Sequence, residues 1–282
     1  MLDRVTVVVV THHSAHCLDR LDPLLRHCPH VIIVDNASED GTVTSAQKRW
    51  PHASILALPR NVGFGAANNM ALARCQTDFA LLLNPDCEAT PADLHTLVTA
   101  ADTFVDAAVV APQLCDADGH PEVNYRWPWL DWKSTGPAAE GPLCVGFVCG
   151  AAMLVRVAKL PQPAFDERFF LYYEDDDLCL RLLRSKQSMI IIPSCRIRHR
   201  SRGSVRSPRR LSAEYWRGYH HAQSKLTFIV KYIDTTPTHQ QRLRLIALTI
   251  ITLPLHIVFW SPKMLARKIG RLVGAIKFKT IH

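Results

Sequence analysis

The chain has 282 residues, 48% of them hydrophobic, and a net charge of +8. That length suits one large domain plus an appendage, and the apolar share excludes global disorder. The charge is uneven, with 12 Lys+Arg against 23 Asp+Glu in residues 1–180 and 21 against 2 in residues 181–282, so a basic tail on an acidic body calls for an anionic partner, either nucleic acid or a membrane surface.

Nine cysteines are scattered without any Cys-x-x-Cys pair, which argues against a zinc knuckle. Their odd number and apolar settings predict reduced, buried thiols. The N-terminal Met-Leu-Asp-Arg passes straight into a strand pattern. The apolar stretch and cleavage site of a signal peptide are not expected there.

Val5–Val10 is a continuous β-branched run and predicts a buried strand of a parallel sheet. Leu18–His27 has helical character. Val31–Val34 predicts a second strand that ends at Asp35-Asn36. Ser38-Glu39-Asp40-Gly41 opens a helix to about Trp50, and Ile55–Leu58 is a third strand. Residues 61–69 are rich in Gly and Asn, with a helix over Met70–Cys75. Phe79–Leu83 is a fourth strand, stopped by Asn84-Pro85-Asp86. Thr90-Pro91-Ala92-Asp93 is N-cap chemistry for a helix to about Phe104. Ala108–Ala111 follows as a strand. The alternation predicts an α/β fold with one mostly parallel sheet flanked by helices.

Residues 112–142 are Pro-, Gly- and Trp-rich, a length that marks a functional loop. Phe147–Val155 is strand-like, Phe165–Asp177 is aromatic and then acidic, Leu178–Leu183 is helical and Ile190–Ile192 is a strand. Residues 196–210 form a basic loop, and Glu214–Tyr232 is a helix. Leu243–Trp260 is nearly all apolar, and Lys263–Lys279 is basic with interleaved apolar residues.

Ligands of open α/β sheets sit at the carboxyl ends of the strands. Four ends here are polar: Thr11-His12-His13, Asp35-Asn36, Arg60-Asn61 and Asn84-Pro85-Asp86. A carboxylate after the second strand can accept from a ribose or base. One after the fourth can hold a cation against a diphosphate. Taken singly, each could be a turn residue. The glycines of Asn61-Val62-Gly63-Phe64-Gly65 let backbone approach a nucleotide closely. Glu174-Asp175-Asp176-Asp177 follows five apolar or aromatic residues. Repulsion and desolvation there favour a raised pKa and a general base, while an acidic helix N-terminus is the plainer reading.

In this order the motifs resemble family 2 of the glycosyltransferases, in particular bacterial rhamnosyltransferase-like members, over roughly residues 4–205. The resemblance rests on Val34-Asp35-Asn36-Ala37-Ser38, Asn61-x-Gly63-Phe64-Gly65-x-x-Asn68, Leu83-Asn84-Pro85-Asp86, Gly150-Ala151-Ala152-Met153-Leu154 and Phe169–Arg181, with a later His199 and Ser204. It implies a GT-A fold, with a catalytic domain over 1–210 and a helical region over 211–282. It implies a nucleotide-sugar pocket lined by Thr11, Asp35, Asn36, Asn61, Gly63, Gly65, Asn68, Asn84 and Gly150. It also implies a metal, Mg²⁺ or Mn²⁺, at Asp86 and His199, and inverting transfer with Asp175 as general base and Glu174 beside it. The sequence departs from the family's usual pattern at His12-His13 and at Asn84.

Leu243–Trp260, 18 residues with Pro254 and His256 inside, is short for a bilayer span. With its basic flanks it predicts C-terminal helices that lie on or re-enter an anionic leaflet at the cytoplasmic face of the inner or plasma membrane. The bland reading is a helix packed on the rest of the chain. The expected partners are a nucleotide-sugar donor, a lipid-linked or glycan acceptor and the membrane surface, without nucleic acid. Two readings compete. A nucleotidyltransferase would want glycines after the first strand, and Thr11–Leu18 has none. A nucleotide-sugar- or nucleic-acid-binding protein without transfer activity would explain Arg200, Arg202 and the tail but not the carboxylate run.

Overall fold

A computed structural model describes residues 1–127, 136–200, 203, 210–233, 235–258 and 261–279. Runs such as Val5-Thr6-Val7-Val8-Val9 cannot leave one face in water, and the fold buries both. β1 (Val5–Thr11), β2 (His30–Asp35), β3 (Ser54–Ala57) and β4 (Phe79–Leu83) lie side by side in parallel, in the order β3-β2-β1-β4. Thr11 is in register with Asp35, and Asp35 with Ala57, so the polar residues that end these strands line up on one edge. Between the strands run a 3₁₀ segment and α1 (Asp22–Leu25), then α2 (Thr42–Arg49) and α3 (Phe64–Leu72).

β5 (Cys87–Glu88) and α4 (Pro91–Thr103) follow. The predicted N-cap of α4 is a reciprocal capping box: the Asp93 amide donates to Thr90 Oγ1, and the Thr90 amide to the Asp93 carboxylate. The remaining elements are β6 (Ala107–Cys115), β7 (Leu143–Cys144), β8 (Ala152–Arg156), α5 (Glu174–Arg184), β9 (Ser188–His199), α6 (Arg210–Tyr232), α7 (Thr235–Val258) and α8 (Pro262–Lys277).

The sheet is mixed, where the sequence predicts a mostly parallel one. β8 runs antiparallel to both β4 and β6, and β9 is parallel to β6 but antiparallel to β5 and β7. A parallel neighbour needs a crossover, usually helical. The chain instead enters β8 from a segment in which the described residues form no helix. Three expected boundaries also move. β6 continues past Pro112, where a register shift absorbs the proline. β9 runs on to His199. The strand expected from Phe147 begins only at Ala152.

Met1–Phe165 and Asp175–Arg206 form one compact unit, and Asp166–Glu174 and Ser207–His282 form another. In the first, alternate residues of each strand feed two cores. Val5, Val7, Val9, Ile33, Leu81 and Leu83 pack beneath α4, while Val8, Val34, Leu82 and Met153 pack with Ala67 and Leu178 on the other face. None of the nine cysteines is bonded to another, and six of them are buried.

In the second unit α6 and α8 touch backbone to backbone. A Cβ on Gly270 would fall 1.9 Å from the Tyr215 carbonyl oxygen, and one on Gly218 would fall 2.0 Å from that of Arg267. Ala222, Leu226, Ala275 and Phe278 close the contact, with Leu245 and Ile246 of α7 against them. Among the described residues no helix is long and apolar enough to cross a membrane.

Candidate active site

The aligned strand ends are tied to one another by hydrogen bonds. Thr11 Oγ1 donates to Asp35 Oδ1 at 2.8 Å, and Ser38 gives that carboxylate its hydroxyl at 2.6 Å and its amide at 2.8 Å. Asn36 Nδ2 donates to the Gly63 carbonyl, and Asn36 Oδ1 accepts from the Val62 amide, both at 3.2 Å. This side chain therefore ties the end of β2 to the loop before α3. Asn61 Oδ1 accepts the Gly63 amide at 2.9 Å. Gly63 holds φ 94° and ψ 167°, open in practice only to glycine. The turn starts α3 at Phe64, within the Gly- and Asn-rich segment that opens the helix. Gly65 is buried in its first turn, and Asn68, 1% exposed, donates to the Phe64 carbonyl. Thr11, Asp35, Asn36 and Asn68 are thus buried and use polar atoms in hydrogen bonds within the protein.

The turn Asn84-Pro85-Asp86 lies at the end of β4, with the Asn84 amide on the Ala151 carbonyl. Asp86, 1% exposed, takes the Gly203 amide on Oδ2 at 2.9 Å. Its Oδ1 lies 3.7 Å from His199 Nε2, brought there because Cys87 pairs with His199 across β5 and β9. Two atoms each about 2.1 Å from one cation can stand that far apart. The carboxylate and imidazole therefore fit a divalent ion. Cys87 Sγ is close enough to join them, but it donates to the Ala151 carbonyl and burial pushes its pKa well up. A protonated thiol is a poor ligand for a hard ion. The Glu122 carboxylate lies 3.9 Å from His199 Nδ1.

The acidic run divides by environment. Asp177, fully buried, pairs with Arg181 at 2.8 Å, and that guanidinium also holds the Pro163 and Ala164 carbonyls. Asp176 pairs with Arg126 at 2.7 Å, and Arg126 stacks over the Phe147 ring at 3.6 Å. Among the described residues no guanidinium is bonded to Asp175. Its Oδ2 accepts the Gly150 amide at 3.2 Å and its Oδ1 the Asp176 amide at 3.0 Å. Burial, only partly offset by these amides and by the Arg126 charge, raises the Asp175 pKa; burial and the Asp175 charge raise that of Asp176. Gly150 is the spacer, since a Cβ there would lie 3.3 Å from the Phe64 ring and 3.6 Å from Asp175 Cβ. Glu174, buried, opens α5 and belongs to the second unit. Just before it, Tyr172 and Tyr173 hold φ 71° and 66°. That left-handed backbone is costly for bulky residues and concentrates at functional sites.

The model of glycosyl transferase family 2 matches residues 6–160. The chain belongs to that family. Among curated relatives, the N-acetylglucosaminyl-diphospho-decaprenol L-rhamnosyltransferase of Mycobacterium tuberculosis is 28% identical over 247 residues, covering 74% of this chain and 80% of the relative. The low-salt glycan biosynthesis hexosyltransferase Agl10 of Haloferax volcanii is 26% identical over 212 residues, covering 70% and 66%. Among solved structures, the mannosyltransferase PcManGT of Pyrobaculum calidifontis, in complex with GDP-Man and Mn²⁺, superposes with a TM-score of 0.57 at 14% identity, covering 97% of this chain and 86% of that one. The family resemblance read from the motifs is thereby shown, and the fold of this glycosyltransferase is of the GT-A kind with a mixed sheet.

Two residues of this family 2 glycosyltransferase escape motif reading. Arg126 and Glu122 come from the Pro- and Trp-rich loop, which is drawn in by Tyr125 Oη donating to Gln113 at 2.6 Å. Their signal in the sequence is the Tyr125-Arg126-Trp127 cluster inside the predicted functional loop. In the basic loop, Arg198 and Arg200 both face Glu88, and Arg196 reaches the Gly119 carbonyl. Arg202 and Ser204 lie outside the described residues.

Proposed function

We propose that this glycosyltransferase moves a sugar, rhamnose or another deoxyhexose or hexose, from a nucleoside-diphosphate donor to a hydroxyl of a lipid-linked glycan, with inversion. The observation that carries the reading is the Asp175 carboxylate. It is held by two backbone amides and raised in pKa by burial, beside carboxylates that pair with Arg126 and Arg181. A base so placed takes the acceptor hydroxyl proton as the oxygen bonds to the anomeric carbon. The bond to the diphosphate breaks, and its electron pair leaves with the nucleotide. One displacement inverts the centre.

Thr11, Asp35, Asn36, Asn61, Gly63, Gly65, Asn68, Asn84 and Gly150 would form the walls and floor of the donor pocket, and Glu174 would lie beside the base. Asp86 and His199 would hold Mg²⁺ or Mn²⁺, whose charge offsets that of the departing diphosphate. The named activities of the mycobacterial and haloarchaeal relatives support a sugar transfer of this class. A lipid-borne acceptor puts the reaction at a membrane, on its cytoplasmic face.

The test is release of nucleoside diphosphate and labelled lipid product. The full chain is given Mg²⁺ or Mn²⁺ and a panel of nucleotide sugars, with and without membrane lipid extract. Turnover of one donor, lost in Asp175→Asn and Asp86→Ala, supports the reading. Failure of every donor to bind or turn over with lipid present rejects it.

A further inference from the structure

Helix α7 is built inside out. Leu243, Leu248, Ile250, Ile251 and Leu255 are 54%, 50%, 53%, 69% and 53% exposed, whereas Thr249 is 2% exposed and Thr252 is half-buried. The inward threonines spend their hydroxyls on the helix's own carbonyls, Thr249 on Leu245 and Thr252 on Leu248. Lys268 of α8 comes in to Thr252 at 3.0 Å. At 100° per residue, exposed positions 243, 244, 247, 248, 250, 251, 254 and 255 share one arc of about 160° and about 18 Å of helix. Arg244 is the one charge among them. A water-facing helix distributes its residues the other way round, so this face is made for an apolar cover.

Charge identifies the cover. From residue 235 to the C-terminus there is no Asp or Glu. Arg244, Lys263, Lys277 and Lys279 are exposed on the same helices or just beyond them. A second copy laid on this face through the same helices would bring Arg244 no carboxylate side chain, since residues 235–282 hold none. An anionic lipid surface supplies both the apolar layer and the counter-charge, and an apolar face of this length suits a helix lying in the interface.

We infer that the outward face of α7 seats the protein on an anionic bilayer, with the helix lying in the plane of the interface. The seat is independent of the sugar chemistry proposed above and is tested without it.

The experiment is co-sedimentation of the full chain with vesicles of phosphatidylglycerol and phosphatidylcholine, and with vesicles of phosphatidylcholine alone. Partition onto the anionic vesicles is expected, weakened by salt. It should fall about tenfold or more in Ile251→Glu/Leu255→Glu, whose side chains are exposed and whose melting temperature should hold. Lys263→Glu/Lys277→Glu should weaken anionic binding while leaving the apolar face intact. The inference is overturned if the protein stays in the supernatant with anionic vesicles, or if the Glu variants of α7 bind as tightly as the parent. It is equally overturned by a lipid-free dimer that the same variants dissolve, which would give the face to self-association.

Discussion

The amide of Gly150 and the carboxylate of Asp175 meet at 3.2 Å, and the Phe64 ring and Asp175 Cβ both border the space that a Cβ on the glycine would take. Start of α3, turn before β8 and start of α5 therefore converge on a residue without a side chain. Gly150→Ala must push the Phe64 ring by a few tenths of an ångström and would fill the space up to Asp175 Cβ. We expect a stability loss of about 1 kcal/mol but a drop in kcat of about tenfold or more. An alanine variant with parental kcat would show that the Asp175 position is not set by this contact.

Removing the base separates chemistry from folding. Asp175→Asn should lower kcat about 10²- to 10⁴-fold and leave donor affinity, read by calorimetry, near the parent. Equal loss of kcat and donor binding would make Asp175 a binding residue instead.

The pH dependence follows from the direction of the shifts. Asp175 and Asp176 are raised by burial, Asp176 to about 7. A general base must be deprotonated, so kcat/KM should climb with pH beyond the range of an ordinary carboxylate. These carboxyls hold protons more tightly folded than unfolded. Their contribution to stability should therefore be fully present below the unfolded value near 4 and decline as pH rises to about 7, the value for Asp176. Asp176→Asn should flatten that decline in thermal melts; an unchanged slope would contradict the assignment.

Arg126 is 21% and Asp176 7% exposed, so their ion pair is largely removed from water. Arg126→Ala strands a buried carboxylate and should cost about 3 kcal/mol. Adding Asp176→Asn should recover much of the loss. A double variant no more stable than the single one would mean that Arg126 acts through the Phe147 stack instead.

In the second unit, Asp166 lies between Arg168 and Lys231 at 2.7 and 2.6 Å. Their hydrogen bonds hold its carboxyl well below the usual range despite burial. Lys231→Met should destabilise by about 1 kcal/mol at neutral pH. A depressed folded pKa contributes stability above the unfolded value near 4 and loses it as pH falls further, so the gap between variant and parent should close in acid. A gap that persists at the lowest pH would point to lost packing of the lysine stem.

Much of the first unit could be read from residue types, because buried strands and polar strand ends are local patterns. Val5–Thr11, His30–Asp35 and Phe79–Leu83 fall where apolar runs place them. The direction of β8 could not be read, since Ala152–Arg156 is equally apolar whichever way it runs. The carboxylate run was visible, but its division was not. Arg126 is 50 positions from Asp176, and only the fold shows that it takes that acid and leaves Asp175 to the Gly150 amide. The start of α3 depends on a contact from outside the helix. Gly63 and Gly65 lower local helix propensity, and the Asn36 clamp that compensates comes from β2.

The glycines between α6 and α8 set a rhythm for tolerable change. Positions 270 and 274 are four apart, about one turn, and each faces the carbonyl of a tyrosine, Tyr215 or Tyr219. No pruning of a neighbouring side chain can make room, because the obstacle is main chain. A substitution scan of α8 should show two blank columns, 270 and 274, among positions such as Ile269 and Lys277 that accept most replacements. Gly218 should match them on the partner helix, tying the sequence freedom of the tail to three hydrogen atoms.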